Sequence, residues 1–178
     1  MTREPSPPSG VEPGSGPASR QRLMRPTADG QRPLRLLVVD DEPSICQALS
    51  LLFGWHGLEV ATALSAAEAE HALSQSTFDV LLIDLRLRDA RGDVVFRSAI
   101  GRDPSYRERT LFMTGDITSE AERIIAATNC PYLRKPFDIT LAVQAIAALV
   151  GVAYHAPGEP PPQTADPNVG SGHRDKTR

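Results

Sequence analysis

Four short apolar runs, each closed by a residue with chemistry of its own, constrain this chain more than any other feature. Leu36-Leu37-Val38-Val39 runs into Asp40-Asp41, and Val80-Leu81-Leu82-Ile83 runs into Asp84. Leu111-Phe112-Met113 runs into Thr114, and Tyr132-Leu133-Arg134 into Lys135-Pro136. Runs this short and this apolar suit strands buried on both faces of a parallel sheet. In such a sheet ligands bind beyond the carboxyl ends of the strands. The order of the runs therefore gathers carboxylates, a hydroxyl and an amine at one sheet edge.

The segments between the runs carry helix signals. Pro43 opens a helix reaching about Trp55, and Gly57 ends it. Leu58–Ala63 reads as another short strand. Ser65 with Glu68 forms a capping-box pattern before a helix to about Ser74. After the strand Asp79–Ile83, a loop with Gly92 leads to a helix near Val94–Ile100. Arg109–Met113 reads as a strand. Ser119 with Glu122 predicts a cap for a helix that ends near Asn129. Tyr132–Arg134 is a short strand, and Asp138 caps a last helix to about Val150. Five strands alternating with five helices predict an α/β fold with one doubly wound parallel sheet.

Composition sets the limits of this core. Residues 1–33 and 152–178 are rich in Pro, Gly, Ser and Arg, with Pro160-Pro161-Pro162 in the second stretch. Such segments bury too little surface to offset chain entropy, so the sequence predicts tails flanking a domain over residues 34–151. Met24, close to the core, is an alternative start. The net charge of −3 argues against non-specific nucleic-acid binding. No stretch has the length of a membrane span, and no apolar segment follows the N-terminal arginines as a secretory signal would require. A cytoplasmic protein with reduced thiols at Cys46 and Cys130 is expected.

Hard carboxylate oxygens at Asp40, Asp41 and Asp84 suit Mg²⁺, which keeps waters and binds beside phosphate. A carboxylate can also be the nucleophile that takes a phosphoryl group. Lys135, one of two lysines in an arginine-rich chain, would neutralise a phosphoryl oxygen, and the Thr114 hydroxyl would donate to another. Taken singly, each of these residues reads as a cap, a turn or a surface lysine. Only their order makes the site.

The stretches LLVVDDEP, VLLIDLRL with Gly92 eight residues after Asp84, LFMTGD and YLRKPFD resemble the receiver domain of bacterial two-component response regulators. The resemblance covers about residues 34 to 151, and FMTGD and RKPF are similar to receivers at the ends of hybrid sensor kinases. It implies a flavodoxin-like sheet of strand order 2-1-3-4-5. Asp84 would accept phosphate. Asp41, Asp84 and the backbone carbonyl of Arg86 would hold Mg²⁺, with Asp40 acting mainly through water. Lys135 would contact the phosphate, positioned by a cis bond to Pro136. Thr114 would swing toward the phosphoryl group and Tyr132 would turn inward, reshaping the face of the fourth helix, fifth strand and fifth helix.

The chain departs from the family pattern at Leu87-Arg88, where many members have Met-Pro. Arg86 and Asp116 sit where the family tunes phosphate lifetime, and pairing between the two is the alternative reading.

The resemblance implies a histidine kinase or histidine phosphotransfer protein as phosphodonor. The C-terminal stretch is too short and polar for a DNA-binding module, so a stand-alone receiver acting on a downstream protein is expected, not an enzyme and with no direct DNA or membrane binding. Leu141, Ala145 and Ala148 give the last helix a second apolar face. That face reads either as tolerated surface alanines or as a surface for a partner or a second copy of the chain. Two rival readings are a degenerate receiver that binds partners without phosphate and an aspartyl-nucleophile phosphohydrolase. The hydrolase would want an acid two residues after its nucleophile; after Asp84 that position is Arg86, after Asp40 it is Glu42, and no cap domain is evident.

Overall fold

The computed structural model describes residues 23–27 and 30–154. The predicted tail segments 1–22 and 155–178, with Pro160-Pro161-Pro162, lie outside the described residues. Seven strands and five helices follow in the order β1 Met24–Thr27, β2 Gly30–Pro33, β3 Arg35–Val39, α1 Pro43–Trp55, β4 Glu59–Ala63, α2 Ala66–Gln75, β5 Val80–Asp84, α3 Gly92–Arg102, β6 Thr110–Thr114, α4 Ser119–Thr128, β7 Tyr132–Arg134 and α5 Ile139–Leu149. A single 3₁₀ turn, Pro104–Arg107, joins α3 to β6.

Strands β3 to β7 form one parallel sheet in the order β4-β3-β5-β6-β7, the predicted order 2-1-3-4-5 of the core strands. Strand alternation sorts the core into two layers. Leu37, Val39, Leu81, Ile83 and Phe112 pack under α2, α3 and α4, against Leu73, Phe96 and Ala121. Leu36, Val38, Leu82, Leu111 and Met113 pack under α1 and α5, against Phe53, Val143 and Ile146. Cys46 belongs to the second layer and Cys130 to the first, so the two buried free thiols cannot pair. Burial pushes the Cys46 thiol up to about 11, which keeps it protonated and inert.

Helix ends follow local chemistry. The Ser65 hydroxyl accepts from the Glu68 N–H at 3.1 Å, while the Glu68 carboxylate reaches back to the Leu64 N–H at 2.8 Å. Asp138 accepts from the N–H groups of Thr140 and Leu141, as expected of a cap. At α4 the expected cap slips by one residue. Thr118, not Ser119, accepts from the Ala121 N–H at 3.2 Å, and this register buries Ala121 in the core. Asn129 ends α4 in the left-handed conformation, φ 54°, which asparagine tolerates better than most residues.

The described structure extends past both expected domain boundaries, earlier than residue 34 and later than residue 151. The N-terminal boundary at residue 33 is corrected by the antiparallel hairpin β1–β2, paired Met24↔Pro33 through Thr27↔Gly30. Within its two strands the contacts to the domain are charged, so no apolar periodicity announces it. Arg25 and Arg32 both reach the buried carboxylate of Asp79. Leu23, which a start at Met24 would remove, is 2% exposed and packs in the α1/α5 layer. At the other end the boundary at 152 is corrected by Val152, whose N–H donates to the Ala147 carbonyl at 3.0 Å, and by Tyr154, whose hydroxyl meets His56 Nδ1 at 2.7 Å.

Candidate functional site

Strand register alone brings the expected residues together. Val39 pairs with Ile83, which sets Asp40 level with Asp84 across β3 and β5. Asp84 pairs with Met113, which puts Thr114 one step beyond it on β6. Thr114 pairs with Arg134, which puts Lys135 one step beyond β7. The four apolar runs therefore deliver their terminal residues to one edge.

The carboxylates of Asp40, Asp41 and Asp84 each place an oxygen within 4.8 Å of the others. The Lys135 ammonium bridges two of them, 2.5 Å from Asp40 Oδ2 and 2.5 Å from Asp84 Oδ2. The Lys135–Pro136 peptide bond is cis. Asp84 Oδ1 accepts from the Arg86 N–H at 2.9 Å, and Asp40 Oδ1 from the Glu42 N–H at 3.0 Å.

Burial pushes the Asp84 carboxyl above its ordinary pKa, although the Arg86 N–H and Lys135 pull the other way. Burial also opposes the charge on Lys135, but its bonds to Asp40 and Asp84 outweigh it and hold the ammonium above the usual lysine value. A cluster of hard oxygen donors with a raised carboxylate is what a divalent cation would relieve, and the donor set fits Mg²⁺.

Gly92 has a steric role here. A Cβ at that position would lie 2.2 Å from the Asp84 backbone carbonyl oxygen, so only glycine lets α3 start so close to the end of β5.

The expected switch residues point away from the carboxylates. Thr114 is fully buried, and its hydroxyl donates to the Asp116 carbonyl at 2.8 Å. Tyr132 on β7 is 42% exposed. Arg86 and Asp116 meet at 3.5 Å, the pairing reading, but both side chains are well exposed and the contact is weak.

Sequence reasoning missed one residue at this edge. Where many family members have Met-Pro, the Leu87 N–H here donates to the Ala90 carbonyl at 3.1 Å and Arg88 Nε sits 2.8 Å from Asp41 Oδ2. Arg88 and Asp41 are 47 positions apart in the sequence, so no local pattern signals their pairing.

None of the described helices is long and apolar enough to cross a membrane. The chain is similar to the transcriptional regulatory protein TrcR of Mycobacterium tuberculosis, 28% identical over 85% of this chain and 59% of that protein. It is also similar to the probable transcriptional regulatory protein TcrX of the same organism, 31% identical over 69% of this chain and 52% of that protein. The chain therefore spans little more than half the length of these two relatives.

Among solved structures, the receiver domain protein (CheY-like) from Methanospirillum hungatei aligns with a TM-score of 0.61 at 23% identity, over 66% of this chain and 94% of that one. The receiver domain protein from Clostridium thermocellum aligns with a TM-score of 0.59 at 26% identity, over 66% of this chain and 94% of that one. The family model described as the response regulator receiver domain matches residues 36–147. That match takes in most of the five-stranded core and every carboxylate at its edge, and the chain belongs to the family of response regulator receiver domains.

Proposed function

We propose that Asp84 accepts a phosphoryl group from a phosphohistidine of a kinase or phosphotransfer protein, and that the acylphosphate switches a protein-binding face. The observation that carries this reading is the Asp84 carboxylate itself. It is buried, raised in pKa, and faces both a lysine and two further acids. In the transfer, an Asp84 oxygen forms the new P–O bond as the P–N bond to the imidazole breaks, and the departing imidazole nitrogen takes up a proton. Asp40, Asp41, Asp84 and the Arg86 carbonyl would hold Mg²⁺, which when bound offsets charge on the phosphoryl oxygens. Lys135, already on Asp84 Oδ2, stays beside a phosphoryl oxygen.

The switch follows from Thr114. To donate to the phosphoryl group its hydroxyl leaves the Asp116 carbonyl, and the loop before α4 moves with it. Space vacated next to β6 lets Tyr132 turn inward from its exposed position. The surface of α4, β7 and α5, including Leu141, which is 61% exposed, is then the one that changes. A downstream protein or a second copy of the chain reads that change.

The phosphohydrolase reading finds no acid two residues after Asp84. Arg86 stands where its acid would be, and its side chain pairs with Asp116.

The test is incubation with Mg²⁺ and acetyl phosphate, followed by intact-mass measurement. The wild-type chain is expected to gain one phosphoryl group and Asp84→Asn none. No incorporation from either acetyl phosphate or a phosphorylated histidine donor would favour the degenerate receiver instead.

A further inference from the structure

Helices α3 and α4 leave a groove of about 390 Å³ between them, separate from the carboxylate edge. Four arginines line it, Arg91, Arg97, Arg107 and Arg123, against two acids, Asp93 and Glu120. In a chain of net charge −3 this is a local excess of positive charge.

Both acids are already engaged. Asp93 is 2% exposed, its Oδ2 takes Arg97, and its Oδ1 lies 3.2 Å from Arg91 Nε. Arg91 also crosses to Glu120 on α4 at 2.8 Å. Arg107 and Arg123 are different. Both are exposed, and neither meets a carboxylate among the described residues. Arg123 Nε donates to the Ser119 carbonyl at 3.1 Å, which leaves its two terminal nitrogens for another acceptor. Guanidinium forks on two separate elements, facing one groove with no acid between them, suit a phosphate.

The rest of the groove describes the rest of the ligand. Phe96, Ile100 and Ile124 give it apolar surface. At the start of α3, the buried Asp93 Oδ1 accepts no hydrogen bond among the described residues. A buried acceptor in that state calls for a donor. Asp93 and Ile100 are about 10 Å apart along α3 at roughly 1.5 Å per residue. Phosphate at one end, a flat apolar body in the middle and an N–H donor at the other is the chemistry of a nucleotide. The volume lies near the lower end of the roughly 300–1,000 Å³ typical of small-ligand sites, which suits one such molecule better than a protein segment.

We propose that the α3/α4 groove binds a nucleotide, with its phosphates on Arg107 and Arg123, its base on Phe96, Ile100 and Ile124, and a base N–H toward Asp93. The proposal does not rest on the phospho-acceptor reading, because Asp84 takes no part in it.

The test is calorimetric titration of the full chain with ADP, GDP and inorganic pyrophosphate. EDTA is present, so that no divalent cation bridges a phosphate to the Asp84 edge. One nucleotide is expected to bind per chain, and pyrophosphate at least about tenfold more weakly. The double variant Arg107→Ala/Arg123→Ala is expected to weaken nucleotide binding by at least about tenfold, the loss of a charge-assisted contact. Arg102→Ala, an exposed arginine of α3 outside the groove, is expected to leave it unchanged. No saturable binding of either nucleotide would overturn the proposal. So would pyrophosphate binding as tightly as the nucleotides, or equal losses from Arg102→Ala and the double variant, since either means attraction of any anion. Binding of a polyglutamate peptide in place of nucleotide would also overturn it, and assign the groove to an acidic protein segment.

Discussion

Strand β5 has an aspartate at each end of its apolar run, and the fold treats the two in opposite ways. Asp79, just before Val80, is 1% exposed and accepts from Arg25, from Arg32 twice and from the Arg35 N–H. Burial alone would raise its pKa, but these donors outweigh burial and hold the carboxyl below the usual carboxylate range. Asp84, at the other end, has one ammonium and one N–H for itself and shares the ammonium with Asp40. There burial prevails and the pKa rises. The same residue type at the two ends of one apolar run thus gives a heavily neutralised anchor at one end and a carboxylate with fewer donors at the other. What differs is the number of donors each carboxylate receives, and the end with fewer donors is the one where three carboxylates gather.

The sharpest way to break this contrast is to remove each acid. Asp79→Ala strands a buried Arg35 N–H and frees two arginines. We expect a loss of about 2–3 kcal/mol by urea denaturation, below the roughly 3–5 kcal/mol of a fully buried broken pair, because Arg25 and Arg32 are 41% and 38% exposed and water takes over part of their solvation. Asp84→Asn should do the reverse, leaving stability unchanged or raising it by up to about 1 kcal/mol while abolishing phosphoryl uptake. A marked destabilisation by Asp84→Asn would show that the two ends are alike.

The arginines sharpen the comparison at smaller scale. Arg32 makes two bonds to Asp79 and Arg25 one. Arg32→Ala is therefore expected to cost about 1 kcal/mol and Arg25→Ala less, with neither adding to Asp79→Ala in the double variants. Additive losses would mean that the hairpin is held by something other than Asp79.

Acid titration of stability should separate the ends by sign. Asp79 has a depressed pKa in the folded chain, so its contribution is complete above the ordinary carboxylate range and is lost as pH falls through the folded value. Asp84 has a raised folded pKa, so its ionisation costs stability at neutral pH and that cost disappears as pH falls through the raised value. In urea midpoints, the gap between Asp84→Asn and wild type should close first on acidification, and the gap between wild type and Asp79→Ala only at lower pH.

The smallest effect concerns Arg88. Its guanidinium pairs with Asp41, one of the three carboxylates that would hold the metal. Arg88→Ala is expected to tighten Mg²⁺ binding by a few-fold, about what one exposed ion pair is worth, measured by calorimetry. Weaker binding would instead make Arg88 a support for the site.

Most of the working edge was legible from local pattern, because strand alternation and chain direction together dictate where a strand's last residue lies. Asp40, Asp84, Thr114 and Lys135 needed nothing further. The cap of α4 was off by one residue because Thr118 and Ser119 are both good caps, and only burial of Ala121 chooses between them. The β1–β2 hairpin was hidden because its anchor is a single carboxylate 54 positions from Arg25 and 47 from Arg32. Pairing at that separation leaves no periodic trace. Arg88 on Asp41 escaped for the same reason.

What the amino-acid order determined by itself is the set of elements and the edge they share, since apolar periodicity and caps act within a few residues. What only the tertiary structure decided is the direction in which the pKa of each of Asp79 and Asp84 moves and the structure of residues 23–27, 30–33 and 152–154 beyond the expected boundaries. Those depend on how many donors reach each buried carboxylate, and donors arrive from wherever folding brings them.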